Sequence, residues 1–210
     1  MIPVDDITKL QIQCVEQWHS QEIANPFEEC TESILGTACQ QHQYNYLLWH
    51  EEDIARSREV TDAQIATVKR NIDRYNQLRN DWIERLDDWI TNDLTKKAIF
   101  PSEAAKLNTE TPGSAIDRLS IMSLRIYHLD EQLSRDDIDD AHRDKVNTRL
   151  AICRLQHFDL ANSLKELVAD IYAGAKRHRT YRQMKMYNDP TLNPYLYSKK
   201  APSVKATQLQ

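Results

Sequence analysis

Apolar residues recur along this chain with the spacing of an α-helix rather than the alternation of a β-strand. Five segments carry such a stripe, with large apolar side chains repeating every three to four residues. Turn-forming residues separate the segments, among them Asn25-Pro26 and Pro112-Gly113. The pattern predicts helices over residues 5–20, 31–56, 61–91, 114–134 and 137–173, with residues 92–113 irregular or weakly helical.

The helix starts and the short connections indicate how the helices are arranged. Thr61 to Gln64 fits the capping box S/T-x-x-E/Q, and Ser114 to Asp117 resembles a second one with an acid at the positive helix end. Only residues 57–60 separate two of the helices, which we therefore expect to be antiparallel neighbours. Helix 114–134 is apolar on two sides, which predicts a central position.

Long helices with short connections predict an all-α protein, an antiparallel helical bundle of four main helices. The N-terminal helix packs alongside, and a basic, tyrosine-rich C-terminal tail follows the last helix. We expect one domain over residues 1–198, with the tail at 176–198 folded over one end and a disordered terminus at 199–210. The sequence leaves open whether the protein forms a homodimer, because the N-terminal helix could equally pack across a two-fold axis.

Composition excludes several classes of function. The chain has 210 residues and only three glycines, so it lacks a Gly-rich phosphate loop, and its net charge of −5 argues against nucleic-acid binding. No apolar run approaches the roughly 20 residues of a membrane span, and the N-terminus lacks a signal-peptide pattern. Four cysteines without CxxC spacing indicate reduced, mostly buried thiols in a cytoplasmic protein, and no cofactor is expected.

Polar residues interrupt the apolar stripes where the core is expected. An unpaired buried charge costs several kcal/mol, so these groups should bond to one another or to a ligand. One interpretation is a polar pocket between helices for an anionic ligand, and the other is a set of buried salt bridges that fix helix register. Buried salt bridges explain any single one of these polar residues, whereas the whole set favours a pocket. The set consists of His42, Asn45, Glu52, Arg79 and His157, flanked by Asp53, Asn76, Asp117 and Arg118.

Motifs for metal binding and nucleophilic catalysis are weak. His50 is followed by three acids but lacks the second histidine of HExxH. Glu16-x-x-His19 and the poorer Asp139-x-x-His142 match part of a di-iron pattern but lie away from the polar stripe, so we predict no metal site. No nucleophile elbow is present.

Four strings resemble a bacterial family known as domain of unknown function 4254. They are NYLLWHEEDIAR (45–56), IDRYNQLRND (72–81), LNTETPGSAIDRLSIMSLRIYH (107–128) and YRQMKMYNDPTLNP (181–194), which together span nearly the whole chain. The resemblance implies no activity; it implies an association with envelope-polysaccharide and glycosyltransferase genes. The matching positions are Asn45, Trp49, His50, Glu52, Asp53, Arg56, Asn76, Arg79, Asp117, Arg118, Arg182, Lys185, Tyr187, Asn188 and Asp189, whereas His42 rests on periodicity alone.

Two functions follow as hypotheses. The first is a non-catalytic binding or accessory protein that holds an anionic small molecule, or a glycosyltransferase-type partner, in envelope glycan synthesis. The second is an enzyme in which Glu52 or His42 acts as acid or base. In this enzyme Arg79 and Arg118 hold a phosphorylated or sugar-nucleotide substrate. The predicted ligand-binding residues are Asn45, Trp49, Asp53, Arg56, Asn76, Arg79, Asp117, Arg118, His157, Arg182, Lys185 and Tyr187.

Overall fold

The computed structural model describes residues 1–27, 32–184, 186 and 189–197. These residues form helices and connecting segments without a β-strand, which confirms the predicted all-α bundle. The helices are α1 (Val4–Trp18), α2 (Ile34–Arg56), α3 (Asp62–Lys96), α4 (Pro112–Leu133), α5 (Asp140–Tyr172) and the short α6 (Pro194–Tyr197).

Helix α3 begins as its sequence predicts but ends later. The Thr61 side chain accepts from the Gln64 backbone N–H while the Gln64 side chain accepts from the Thr61 N–H, so the capping box is complete. The helix runs to Lys96, five residues beyond the predicted end at residue 91. Leu94 packs on the main core, and burial of this apolar side chain favours the extra turn.

The start of α4 corrects one expectation. Its N-cap is Thr111, whose side chain accepts from the Ser114 N–H, so Ser114 is not the cap. Pro112 occupies the first turn, where its fixed φ suits a helix and its missing N–H costs nothing. Asp117 therefore lies beyond the first turn and is free to enter the core.

Helix α4 occupies the centre of the bundle. It packs against α1, α2, α3 and α5, as its two apolar sides predict. The most deeply buried side chains of the main core come from all five long helices, among them Ile7, Ala38, Leu86, Ile116 and Leu164. A second cluster brings Cys14 and Trp18 of α1 onto α2 and Leu124 of α4.

Helices α2 and α3 form an antiparallel hairpin, as the short connection predicts. Asn71 donates to Glu51 near the turn, and Trp89 donates to the Glu32 backbone at the far end. No helix among the described residues combines the length and apolar character needed to cross a membrane.

The described part of the tail lies along α3. Arg182 bonds Glu84 and Asp88, and the Arg177 N–H donates to the Lys106 backbone. Lys185, Tyr187 and Asn188, together with the predicted disordered terminus at 199–210, lie outside the described residues.

Candidate functional site

The Asp117 carboxylate lies at the centre of a buried polar network where α2, α3 and α4 meet. Asp117 is 5% exposed. Arg79 of α3 donates from Nε to Oδ1 at 2.7 Å and from Nη2 to Oδ2 at 2.5 Å, which is the two-pronged geometry of a strong arginine–carboxylate pair. This hydrogen bonding raises the pKa of Arg79 above its ordinary value. The guanidinium is therefore held as a cation against the carboxylate.

Two amides of α2 complete the bonding of the carboxylate. Gln41 and Asn45 donate to Oδ1 of Asp117 at 2.6 and 2.9 Å. Asn45 also donates to the Ser120 hydroxyl at 2.8 Å, and that hydroxyl lies 2.6 Å from Nδ1 of His42. One chain of bonds thus runs from the guanidinium through the carboxylate to the imidazole.

His42 lies at the inner end of this chain with no solvent exposure. Its ring stacks on Trp18, with ring centroids 5.2 Å apart. Burial lowers the pKa of His42 to about 3, because an imidazolium would lose its hydration there. The ring is therefore neutral at physiological pH.

The Asp117 carboxylate is fully engaged by side chains of the bundle. A carboxylate offers about four lone-pair sites, and those of Asp117 receive bonds from three side chains. Of the residues predicted for a site, the structure brings together His42, Asn45, Arg79 and Asp117. Their arrangement matches the buried-salt-bridge interpretation, in which polar groups fix the register of three helices.

Four other predicted residues lie on the surface, namely Glu52, Asp53, Arg56 and Arg118. Glu52 and Arg56 form an ion pair one helical turn apart at 3.0 Å, with side chains 44% and 69% exposed. Asp53 is exposed beside them, and Asn76 is half-buried on α3. Arg118 is exposed and pairs with Glu110 at 2.8 Å.

The remaining predicted residues occupy separate parts of the molecule. His157 is half-buried on α5, Trp49 is half-buried on α2, and Arg182 bonds two acids of α3. Lys185 and Tyr187 lie outside the described residues.

An open groove runs between α4 and α5 and has a volume of about 850 Å³. Leu160, Leu164 and Leu167 line it from α5, and Ile121 and Met122 line it from α4. Polar and charged groups border this apolar surface: Asn108, Glu110, Arg118, Arg125, Gln156, Asp159 and Ser163. The groove can accommodate a small molecule with both an apolar and a polar part.

A cluster of three histidines, which the sequence did not predict, lies where α1, α2 and α4 approach each other. His19 caps the end of α1, His50 lies on α2 and His128 lies on α4. One ring nitrogen from each can be chosen so that all three lie within 4.8 Å of one another. The three residues could therefore hold a metal ion.

Aromatic neighbours hold these histidines in place. His19 stacks on Tyr127 with centroids 4.1 Å apart, and His128 stacks on Trp49 with an interplanar angle of 7°. Burial, together with the nearby imidazoles of His19 and His128, lowers the pKa of His50. His50 thus favours its neutral form, which keeps a nitrogen lone pair available.

A repeated dipeptide could have revealed the cluster. Each of the three histidines directly follows an aromatic residue, in Trp18-His19, Trp49-His50 and Tyr127-His128. Spacing rules for metal sites compare positions within one helix, so they miss ligands contributed by three separate helices.

Comparison with known proteins identifies a family model that covers most of the chain. The model of the family described as "Protein of unknown function (DUF4254)" matches residues 36–180, which include the Asp117 network, the groove and two of the three clustered histidines. No curated protein matches the chain, and no solved structure matches it. The chain therefore belongs to the DUF4254 family of proteins of unknown function.

Proposed function

We propose that the protein is a non-catalytic binding or accessory protein that holds an anionic ligand in the groove between α4 and α5. We place it in the bacterial cytoplasm, beside envelope-polysaccharide synthesis and a glycosyltransferase-type partner. The ligand fitting this groove is an amphipathic sugar phosphate, with a phosphate head, sugar hydroxyls and an apolar body. The observation that carries the proposal is an apolar groove flanked by two arginines of one helix face.

The two arginines are spaced to hold an anion above the apolar surface. Arg118 and Arg125 lie seven positions apart on α4, which is two turns or about 10 Å along one face. Arg125 has no ion pair among the described residues, whereas Arg118 already pairs with Glu110. Arg125 is thus the better phosphate ligand of the two, because its guanidinium needs no exchange of partners.

The rest of the groove suits a sugar and a chain of methylene groups. Asp159, Asn108 and Gln156 offer the carboxylate and amide groups that bond to hydroxyls. The leucines of α5 offer apolar contact to an acyl or prenyl chain. A ligand with all three parts would use every kind of group that lines the groove.

The geometry favours binding over the acid–base alternative. His42 is fully buried with a pKa lowered to about 3, so it is a weak base without access to a substrate. Glu52 lies in an exposed pair with Arg56. Arg79 and Asp117 bond to each other, so an anion at Arg79 would have to displace a buried carboxylate.

The test compares the binding of three probes by isothermal titration calorimetry. The two dodecyl compounds are used below their critical micelle concentrations. Dodecyl phosphate carries an anion and a chain, glucose 1-phosphate carries an anion and a sugar without the chain, and dodecyl maltoside carries an uncharged sugar and the chain. We expect dodecyl phosphate to bind most tightly. Arg125→Gln should weaken the binding of dodecyl phosphate about tenfold, because the variant loses one charge-assisted hydrogen bond.

Two further variants locate the site. Ser163→Trp fills the groove from an exposed position and should abolish binding, while Arg149→Gln changes an exposed α5 arginine outside the groove and should have no effect. Equal binding of dodecyl maltoside and dodecyl phosphate would contradict the anion proposal. Wild-type affinity in both Arg125→Gln and Ser163→Trp would contradict the groove itself.

A further inference from the structure

Each of the three clustered histidines has a buried nitrogen atom that is not used in a hydrogen bond. Nε2 of His19, His50 and His128 is buried in each case and has no hydrogen-bond partner among the described residues. Buried polar atoms are almost always bonded, so three unbonded atoms in one place require an explanation. An ion between them would satisfy all three together.

Two of the rings have their other nitrogen engaged by an acceptor. Nδ1 of His19 lies 2.7 Å from the Val15 carbonyl oxygen, and Nδ1 of His128 lies 3.2 Å from a Glu131 carboxylate oxygen. Neither oxygen carries a proton, so each Nδ1 must donate, and Nε2 of a neutral ring then bears the lone pair. Carbonyl and carboxylate acceptors on the far nitrogen are the usual support of a metal-binding histidine.

The distances suit an ion of the size of Zn²⁺. Zinc–nitrogen bonds of about 2.0–2.1 Å in a tetrahedron separate two ligand nitrogens by about 3.3 Å. The selected nitrogens lie within 4.8 Å of one another, so no pair has to close by more than about 1.5 Å. Small rotations of three half-buried rings provide that movement.

Aromatic packing alone explains the arrangement of the three histidines less well than a bound metal ion does. Stacking on Tyr127 and Trp49 would hold phenylalanine rings equally well and would leave no polar atom unbonded. The histidines also lie on three different helices, so their convergence does not follow from one local motif.

We propose that His19, His50 and His128 bind one divalent transition-metal ion, of which Zn²⁺ fits best, through their Nε2 atoms. Three imidazoles leave the fourth position of a tetrahedral ion for water or an exogenous ligand. The ion joins the end of α1 to α2 and α4. This site is independent of the groove between α4 and α5 and adds a metal ion to the proposed binding function.

The test uses the full chain without a histidine tag, freed of metal by chelation and dialysis. Zinc titration against a chromophoric zinc indicator should give one site per chain and raise the melting temperature by about 5–10 °C at a hundredfold excess over Kd. Cobalt substitution should give the intense visible absorption of a four-coordinate ion. X-ray absorption of the zinc-loaded protein should show three imidazole ligands.

Single variants His19→Gln, His50→Gln and His128→Gln should each weaken zinc binding at least about a hundredfold. His157→Gln is the matched control, because His157 is also half-buried with an unbonded Nε2 but lies outside the cluster. Zinc affinity that survives the His19→Gln/His50→Gln double substitution would overturn the proposal. So would a wild-type zinc spectrum without three imidazoles, a result that requires no variant to fold.

Discussion

At the scale of single residues, the Asp117–Arg79 pair shows how the fold satisfies a charge that it buries. The side chains are 7% and 25% exposed, so both groups lose much of their hydration on folding. Removing one partner of such a pair costs about 3–5 kcal/mol, whereas replacing both by apolar residues is often neutral. The pair therefore fixes the position of α3 against α4 more than it adds net stability.

His42 should make the free energy of unfolding depend on pH. Its pKa is about 3 in the folded state, against 6.5 as the ordinary value, so the unfolded chain binds the extra proton between these limits. Stability should rise with pH from about 3 to about 6.5, and His42 should contribute about 1.4 kcal/mol per pH unit. Urea denaturation at a series of pH values measures this slope.

The variant His42→Gln isolates that contribution. Buried carboxylates and other histidines titrate in both proteins, so only the difference between the two slopes reports on His42. We expect a shallower slope in the variant between about pH 4.5 and 6.5. Identical slopes would show that the folded protein accommodates a charged imidazole at this position.

At the scale of helices, close contact between α3 and α4 decides which residue can occupy the second position of α4. The Gly113 N–H donates to the buried Asp87 carboxylate of α3 at 2.8 Å. A Cβ atom at Gly113 would lie 2.8 Å from both Asp87 Oδ1 and the Ile83 carbonyl oxygen. The helices approach so closely here that only glycine fits without a shift of the backbone.

Gly113→Ala should therefore destabilise the protein, although alanine is the better helix former. In an open helix position the change would stabilise by about 0.4–1 kcal/mol. Here the overlap with backbone should cost about 1–3 kcal/mol instead. Chemical denaturation measures the sign of the change in the free energy of unfolding. The control Ser114→Ala, at the next position, should change that free energy by less than about 0.5 kcal/mol. A stabilised Gly113→Ala protein would show that α3 and α4 are not in this contact.

At the scale of the whole molecule, the bundle leaves one long helix poorly covered. Helix α5 packs mainly against α4, and Ile152, Leu155 and Phe158 on its outer side are 50%, 60% and 62% exposed. They lie three positions apart and form one apolar stripe. Exposed apolar stripes are typical of protein–protein contacts, and we propose that this one joins two copies of the chain in the homodimer that the sequence left open.

Light scattering measures whether this stripe joins two chains. We expect wild-type protein at tens of micromolar to have twice the chain mass of 24.6 kDa. The double substitution Leu155→Asp/Phe158→Asp should give the single-chain mass, because two carboxylates cannot be buried in the contact. Ile54→Asp is the control at an exposed apolar position on α2. A monomeric wild-type protein would contradict the dimer.

Much of the candidate site follows from the sequence, and part of it does not. Helical periodicity places His42, Asn45 and Arg79 on inward faces, and the structure brings them together with Asp117. Glu52 lies on the same stripe as His42, yet its side chain is 44% exposed and takes no part in the polar network. Periodicity reports which face of a helix a residue occupies, but not whether a neighbouring helix covers that turn.

The sequence by itself determined the helices, their order and the antiparallel pairing of α2 with α3. These features depend on local spacing, capping and loop length, all of which are encoded within a few turns of chain. Only the tertiary structure decided that three side chains bond the Asp117 carboxylate, that a groove opens between α4 and α5, and that three histidines from distant parts of the chain meet. Those outcomes depend on how distant helices are rotated and shifted against one another, which is set by the packing of the whole core.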